Sequence, residues 1–411
     1  MKIWLKFLIG SALGITIGIL LPAGNDNVTA ALQWLGNLAL GIGRYAVVPV
    51  LLFSLTIAVC ELRKEGKFWQ MVLKNLVFIA VASVFIIFSG IIVTMIFMPG
   101  RIPIERVELT EALRLDIASN VTEIFPSNMF SVLTGGGIYL FPIYAFAFFI
   151  GLGLNYDKTY SKPIYTLIDS LSRIFYHIAS FFSEILGFLL IVLSSFWAYR
   201  FRGILELGVY KDLVVMLAIF SIGICFVIMP LFLYLIKPKV NPWKILYGSM
   251  GSAFTAFFSG DINFSIPVIQ RHSKENLGIR RRSNSLSLAL FSTFCRCGSA
   301  VVAASAFIVI IRSYSYLTIT PSQLFTIGLY AFVISFMLAR HPGDGAFIAL
   351  AALCVSYGGG EYNTGYLILK PLAFYLIAVG TFIDVMLTAF GSYFIARTSG
   401  YTEEKKLSHF I

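Results

Sequence analysis

Long apolar stretches constrain the fold of this chain more than any other feature. A helix needs about 20 mostly apolar residues to cross the ~30 Å hydrocarbon core of a bilayer. The stretches that approach or exceed this length are Leu5–Leu21, Ala31–Val59, Val72–Met98, Ile138–Leu154, Ile174–Trp197, Leu213–Ile236, Leu286–Ile311 and Tyr366–Ala396. Because 58% of the 411 residues are hydrophobic, one soluble core could not bury them. We predict an all-α polytopic membrane protein with eight transmembrane helices.

Basic residues recur in alternate loops between these stretches, and the chain carries a formal net charge of +11. The basic loop positions are Arg63, Lys64, Lys67, Lys158, Lys162, Lys237, Lys239, Lys244, Arg271, Lys274, Arg280–Arg282, Lys405 and Lys406. Cytoplasmic loops of membrane proteins are enriched in Lys and Arg. The pattern therefore predicts a multi-pass protein of the inner or plasma membrane with both termini cytoplasmic. It favours the lipid bilayer as the partner of these charges and not nucleic acid.

Two further apolar segments are interrupted by polar, glycine and proline residues. The first break is Ser259–Asn263 and the second is Arg340–Gly345. Each interruption leaves legs that we expect to be too short to cross the hydrocarbon. Proline removes a backbone donor and glycine frees the backbone, so both breaks predict hairpin tips. Two re-entrant helical hairpins, each followed by a full span, indicate inverted repeats with a solute site at the midplane.

Four charged residues lie within or between the apolar stretches of the last third: Asp261, Arg296, Asp344 and Asp384. A charge at the bilayer centre costs about 3 kcal/mol on the insertion scale, and such residues usually line a solute or ion path. On the last span, Gly380, Thr381, Asp384 and Thr388 share one helical face. Arg296 is expected near the middle of an uninterrupted span, where one of the three aspartates would neutralise it. These residues form our predicted solute site.

Several other interpretations of the same residues stay open. Arg296 and Asp384 could form a purely structural ion pair, and Asp261 or Asp344 could only cap a helix. Cys295 and Cys297 are expected to be packing residues, although a thiol or metal site with His341 is an alternative. The residue spacing otherwise lacks a metal-binding or ATP-binding pattern, so we predict no metal, no cofactor and no enzyme activity.

The chain resembles the glutamate/aspartate transporter family, the dicarboxylate/amino acid:cation symporters, from end to end. The segment Val48–Leu55 is similar to the MPxxFxSL stretch of its second helix, and Phe125–Asn128 is similar to the entry to its fourth. Later similarities lie at Ala256–Phe257 with Ile266–Val268, at Gly298–Ala300, at Pro342–Gly345 and at Ala396–Thr398. Their order and nearly gapless spacing carry the resemblance.

The resemblance implies an elevator-type secondary transporter, usually a homotrimer, that carries a small organic solute. The scaffold would comprise residues 1–66 and 101–205. The transport domain would comprise residues 67–100 and 206–411.

The chain departs from that family where sodium would bind. The family's serine-rich first tip is replaced by Asp261-Ile262-Asn263, and its NMDGT motif is replaced by Cys295–Ser299. A late sodium-binding aspartate corresponds to Thr388, and a threonine-serine pair corresponds to Ala82–Ser83. Sodium prefers several hard oxygen ligands, which a thiol or a guanidinium does not supply.

The family's amino-acid ligands are also changed. The aspartate that binds the amino group corresponds to Ile377, and the arginine that binds the side-chain carboxylate corresponds to Gly380. Thr381 is retained, and the asparagine that contacts the main carboxylate corresponds to Asp384. Gly380 is expected to leave room for a larger or less acidic solute than glutamate.

These departures lead to a hypothesis of sodium-independent transport, in which Arg296 acts as a tethered cation. Any coupling proton would reside on Asp261, Asp344 or Asp384, because closely spaced carboxylates do not all ionise cheaply. Thr388 completes the predicted coupling set. The predicted substrate-binding residues are Asp261, Ile262, Asn263, Arg296, Gly343, Asp344, Gly380, Thr381 and Asp384. An ordinary sodium-coupled symporter of dicarboxylates or acidic amino acids and a non-transporting membrane sensor remain the alternatives.

Overall fold

The computed structural model describes residues 2–22, 24–103, 115, 117–134, 136–156, 158–236, 241–315, 319–357, 362–405 and 410, without the side chains of 117, 158, 159 and 205–207. Its α-helices are α1 (Ile3–Leu20), α2 (Asp26–Arg44), α3 (Val47–Lys64), α4 (Phe68–Phe97), α5 (Ile117–Thr122), α6 (Phe141–Gly153), α7 (Lys158–Leu207), α8 (Lys211–Ile222), α9 (Met229–Ile236), α10 (Pro242–Ser259), α11 (Ile262–Glu275), α12 (Arg281–Phe294), α13 (Cys297–Tyr314), α14 (Pro321–Ser335), α15 (Gly345–Ser356) and α16 (Ala373–Thr398). Short 3₁₀ turns cover Met129–Leu133, Leu338–Arg340 and Gly365–Leu369, and a π turn joins α8 to α9. The prediction of an all-helical chain is confirmed for the described residues, which contain only one isolated β-bridge.

Seven helical segments of the described chain are long and apolar enough to span a membrane. They are Ile3–Leu20, Asp26–Lys64, Phe68–Phe97, Tyr160–Ile204, Lys211–Ile236, Arg281–Tyr314 and Ala373–Thr398. The expected eighth span at Ile138–Leu154 is a helix of only 13 residues, α6. Such a helix is about 20 Å long, which is shorter than the hydrocarbon core.

The apolar run Ala31–Val59, expected as one span, is two helices that meet at Tyr45–Ala46. Pro49 lies in the first turn of α3, where its missing N–H is not needed. Its ring would clash with the carbonyl of Tyr45 in a continuous helix. The proline therefore accounts for the break.

The expected span Leu286–Ile311 lies within the candidate span Arg281–Tyr314, but it is not one continuous helix. Helix α12 ends at Phe294 and α13 begins at Cys297. Arg296 between them has φ −109° and ψ 29°, outside the helical region. The break frees backbone N–H groups at the start of α13, and they point toward α16.

The two interrupted segments fold as helical hairpins, α10–α11 and α14–α15, whose legs pack against each other. Tip 1, at Gly260–Asp261, turns through Gly260, which has a left-handed φ of 62°. Asp261 caps α11 by accepting a hydrogen bond from the N–H of Phe264 at 3.0 Å. Helix α10 has 18 residues because it begins at Pro242, before the apolar run. At about 27 Å it is still shorter than the hydrocarbon core, as expected for a hairpin leg. Tip 2 covers Met337–Asp344.

Helix α1 lies against α7 with its glycines in the contact. A Cβ atom built on Gly10, Gly14 or Gly18 would meet main-chain atoms of Gly187, Ile191 or Ser195, respectively. Small residues four apart let two membrane helices approach closely. α7 has 50 residues, about 75 Å at 1.5 Å per residue, and extends well beyond the predicted span Ile174–Trp197.

Charged residues from distant parts of the chain meet at one end of the molecule. Arg281 contacts Glu61 and Asp169, and Arg282 contacts Glu65. These contacts join the end of α3, the first part of α7 and the start of α12. The basic residues of these three regions led to the prediction that the regions are cytoplasmic. The predicted positions Lys237, Lys239 and Lys406 and the side chain of Lys158 lie outside the described part of the chain.

Candidate functional site

The two hairpin tips meet at the break between α12 and α13. The N–H of Ile262 in tip 1 donates to the carbonyl of Pro342 in tip 2 at 3.2 Å. Arg296 and the middle of α16 lie next to this contact. The structure therefore brings most of the predicted site residues into one buried cluster.

Arg296 is the centre of this cluster and is fully buried. Its Nη2 donates to the carbonyls of His341 at 3.0 Å and Pro342 at 3.4 Å, both in tip 2. Its Nε lies 3.4 Å from Oδ2 of Asp384. Among the described residues, neither its Nε nor its Nη1 makes a hydrogen bond. The guanidinium thus joins α16 to tip 2 and retains unused donor groups.

Asp384 accepts hydrogen bonds from the start of α13 as well as facing Arg296. Its Oδ1 accepts from the N–H of Gly298 at 2.6 Å, and its Oδ2 accepts from the hydroxyl of Ser299 at 2.7 Å. The N-terminus of a helix carries partial positive charge and unsatisfied N–H groups, so this arrangement suits a carboxylate. Of the three aspartates predicted as partners of Arg296, Asp384 is the one that pairs with it.

The expectation that Gly380 leaves room for solute is wrong. A Cβ atom there would lie 2.9 Å from Cα of Ser299 and 3.2 Å from Cβ of Ala346. The space is filled because α13 and α15 pack directly on this part of α16. Gly298 faces Gly380 across the same contact.

Asp261 does not pair with Arg296 but with Arg44, a residue that the sequence analysis missed. Arg44 is the last residue of α2, and its Nη2 contacts Oδ2 of the fully buried Asp261. Gly343 lies against both side chains: a Cβ atom on it would be 3.1 Å from Oδ2 of Asp261 and 3.4 Å from Nη2 of Arg44. A charge inside the apolar run Ala31–Val59 was the signal that could have found Arg44.

Asp344 also lies apart from Arg296. Its side chain is 51% exposed, and its Oδ1 is 3.3 Å from Nδ1 of His341. It occupies the N-cap position of α15 but makes no side-chain capping hydrogen bond. The capping interpretation therefore holds for Asp261 and not for Asp344.

The remaining predicted residues are held within the cluster or at its edge. Thr381 donates to the carbonyl of Gly260 at 3.0 Å, and Thr388 donates to the carbonyl of Asp384 at 2.8 Å. Asn263 donates to the carbonyl of Ile138 at 2.8 Å, and Ile262 is buried. Their polar atoms thus bind backbone groups.

The cluster offers guanidinium donors that could bind an anion. Among the described residues, no three His, Cys, Asp or Glu side chains are grouped to hold a metal ion. Arg296 donates to two neutral carbonyls, which are weaker acceptors than a carboxylate. A solute carboxylate could replace them if tip 2 moved away.

A comparison with known families agrees with this arrangement. The sequence model of the Sodium:dicarboxylate symporter family matches residues 3–398. The chain belongs to this family. It is therefore an integral membrane transporter and not an enzyme, and the resemblance noted from its motifs is confirmed.

Individual relatives cover most of the chain at low identity. A proton/sodium-glutamate symport protein of Bacillus subtilis is 23% identical over 366 residues, 85% of this chain and 82% of the relative. A serine/threonine transporter, SstT, of Streptococcus agalactiae is 26% identical over 404 residues, 95% of this chain and 88% of the relative. SstT of Campylobacter jejuni is 23% identical over 391 residues, 92% and 86% of the two chains.

Proposed function

We propose that this member of the Sodium:dicarboxylate symporter family transports a small amino acid or similar carboxylate solute without sodium, with Arg296 as a built-in cation. The observation that carries the proposal is the position of Arg296. Its fully buried guanidinium lies between the Asp384 carboxylate and the tip 2 carbonyls. A positive charge that is covalently attached there leaves no need for a bound cation to join the two elements.

The proposed solute class follows from the hydrogen-bond donors of Arg296 that are free or that bind only neutral carbonyls. Nη1 of Arg296 has no partner, and Nη2 is held only by carbonyls of tip 2. A guanidinium binds a carboxylate through two parallel hydrogen bonds, which are stronger than bonds to neutral carbonyls. Relatives named for serine, threonine and glutamate transport make amino acids the first solutes to test.

A proton is the coupling ion that the site could accept, and Asp344 is its best carrier. Asp261 and Asp384 are fully buried and face Arg44 and Arg296, respectively. Asp344 is half-exposed beside His341 and, among the described residues, forms no ion pair with an arginine. It could exchange a proton with water without breaking a buried ion pair.

We also propose the elevator arrangement that the resemblance implies. Residues 1–66 and 101–205 would form a static scaffold, usually assembled as a homotrimer, and residues 67–100 and 206–411 would move. The packing of α1, α2 and α3 on α7, and of α4, α15 and α16 on α13, supports two such groups. The gathered basic residues support an inner or plasma membrane location with that end, and both termini, cytoplasmic.

Two other functions have specific support. The name of the Bacillus subtilis relative favours ordinary sodium coupling. The closed contact between tip 2 and Arg296 would also suit a non-transporting sensor.

Uptake into proteoliposomes distinguishes these functions. Labelled serine, threonine, aspartate and glutamate would each be tested under a sodium gradient, a proton gradient or neither. We expect uptake that is independent of sodium, stimulated by an inward proton gradient and lost in Arg296→Met. Arg280→Met, which removes an exposed arginine at the cytoplasmic end, is the control.

Sodium-dependent uptake would refute the tethered cation. Solute binding without uptake under any gradient would identify a sensor instead. Binding is measured separately by thermal unfolding, because a ligand at a hundredfold excess over its Kd stabilises a protein by ~2.7 kcal/mol.

A further inference from the structure

A basic cavity lies where α7, α11 and α12 meet, away from the hairpin tips. Its volume is about 340 Å³, within the roughly 300–1,000 Å³ typical of small-ligand pockets. Its lining residues are Ser172, Arg173, Tyr176, His177, Lys274 and Arg281. The first four belong to α7, whereas Lys274 lies in the last turn of α11 and Arg281 begins α12. The cavity therefore exists only while these helices remain together.

The positive charge of this wall is only partly neutralised. Arg173 and Arg281 share one carboxylate, Asp169, which contacts both guanidiniums. Glu61 is more distant, at 3.7 Å from Arg281. Nζ of Lys274 lies 3.7 Å from the centre of the Tyr176 ring, and no described carboxylate lies within 4 Å of it. Lys274 thus forms no ion pair within the described part of the chain, and the Glu275 carboxylate that acts on it is shared with Arg271 and the Tyr176 hydroxyl.

Two further features favour the binding of an anion in the cavity. Burial lowers the pKa of Lys274, and Arg281 and Arg173 lower it further against the opposing effect of Glu275. The hydroxyl of Ser172, which is 2% exposed, has no hydrogen-bond partner. A buried hydroxyl without a partner is destabilising. An anion in the cavity would accept a hydrogen bond from this hydroxyl and offset the repulsion among the cations.

We propose that this cavity binds a phosphate group, either as free phosphate or as the headgroup of an anionic lipid. Arginine guanidiniums match phosphate oxygens bidentately, and a lysine adds a point charge. Basic pockets between membrane helices on the cytoplasmic side are suited to anionic headgroups. The cavity lies at the end of the molecule where the basic residues gather. This proposal does not depend on the solute or the coupling ion.

Thermal unfolding of the full chain in a non-ionic detergent tests the site. Three probes would be titrated: inorganic phosphate, dihexanoylphosphatidic acid and, as a control, dihexanoylphosphatidylcholine. The informative variants are Lys274→Gln and Arg173→Gln. Because the Arg173 side chain is 70% exposed, its replacement should leave folding intact. Arg280→Gln is the matched control, since Arg280 precedes Arg281 but faces Glu403 outside the cavity.

We expect a saturable rise in unfolding temperature and at least a tenfold weaker apparent affinity in Lys274→Gln and Arg173→Gln. An effect of both phosphate and phosphatidic acid would identify the phosphate group as sufficient. An effect of phosphatidic acid alone would identify a lipid headgroup as the source. No effect of either probe, or an equal effect in the two informative variants and Arg280→Gln, would overturn the proposal.

Discussion

At the scale of single residues, the site is a set of charges that neutralise one another across different helices. Arg296 faces Asp384 of α16, and Arg44 faces Asp261 of tip 1. Each aspartate also accepts backbone N–H groups at the start of a helix, α13 or α11. A buried ion pair gives little net stability, but removal of one partner leaves an uncompensated charge. The aspartates should therefore be sensitive to single substitutions.

We predict that Asp384→Leu lowers the free energy of unfolding by about 3–5 kcal/mol, because Arg296 then lacks its counter-charge. Asp344→Asn, at a half-exposed position, should change it by less than about 0.5 kcal/mol. Denaturation followed by circular dichroism in detergent measures both. The double variant Arg296→Met with Asp384→Leu should recover part of the loss, because no charge then stays unpaired, although the N–H of Gly298 still lacks its acceptor. A double variant as unstable as Asp384→Leu would argue against charge pairing as the cause.

Arg44 should hold tip 1 in place. We predict that Arg44→Gln speeds hydrogen exchange at residues 259–264. Without its counter-charge, the Asp261 carboxylate would turn toward water and no longer accept a hydrogen bond from the N–H of Phe264. Adding Asp261→Asn should slow the exchange again. Hydrogen–deuterium exchange with mass spectrometry reads both variants, with α13 as an internal reference. Equal exchange at tip 1 in the parent and Arg44→Gln would show that packing alone holds the tip.

At the scale of elements, the contact of α1 with α7 depends on glycine. A Cβ atom on Gly14 would meet the hydroxyl of Ser194 and the carbonyl of Ile191. We predict that Gly14→Ala destabilises the chain by about 1–3 kcal/mol through overpacking. Gly41→Ala, in α2, meets nothing within 4 Å and should stabilise by about 0.5–1 kcal/mol through helix propensity. Opposite signs in thermal unfolding support backbone contact as the cause, whereas equal signs would contradict it.

Most apolar helices and both hairpin tips could be predicted from the sequence, and Pro49 marks the break at Tyr45–Ala46, whereas the break at Cys295–Arg296 could not be predicted. The tips carry glycine and polar residues together, as at Gly260–Asp261 and Pro342–Gly345, so local chemistry marks them. The break at Cys295–Arg296 has no glycine or proline within it. It depends on Asp384, which binds the N–H groups freed at Gly298 and Ser299 from a helix far along the chain. Such long-range partners leave no local pattern, whereas Arg44 left one, a charge inside the apolar run Ala31–Val59, that the sequence analysis did not use.

At the scale of the whole molecule, the proposed division predicts which distances change during transport. Leu13 on α1 and Phe181 on α7 would both belong to the scaffold, and Val81 on α4 would belong to the moving part. All three side chains are exposed on the protein surface, so each can carry a spin label after replacement by cysteine. We expect the Leu13–Phe181 distance distribution to stay constant when solute is added. The Phe181–Val81 distribution should shift or gain a second population, because α4 packs on α13 and α16 and would move with them. Double electron–electron resonance in nanodiscs measures both pairs.

The same experiment in Arg296→Met tests the link to the site. If solute acts by displacing tip 2 from the guanidinium, this variant should lose the solute response while its Leu13–Phe181 distance stays unchanged. A solute-induced change within the Leu13–Phe181 pair would place a boundary inside the proposed scaffold and require a different division of the chain.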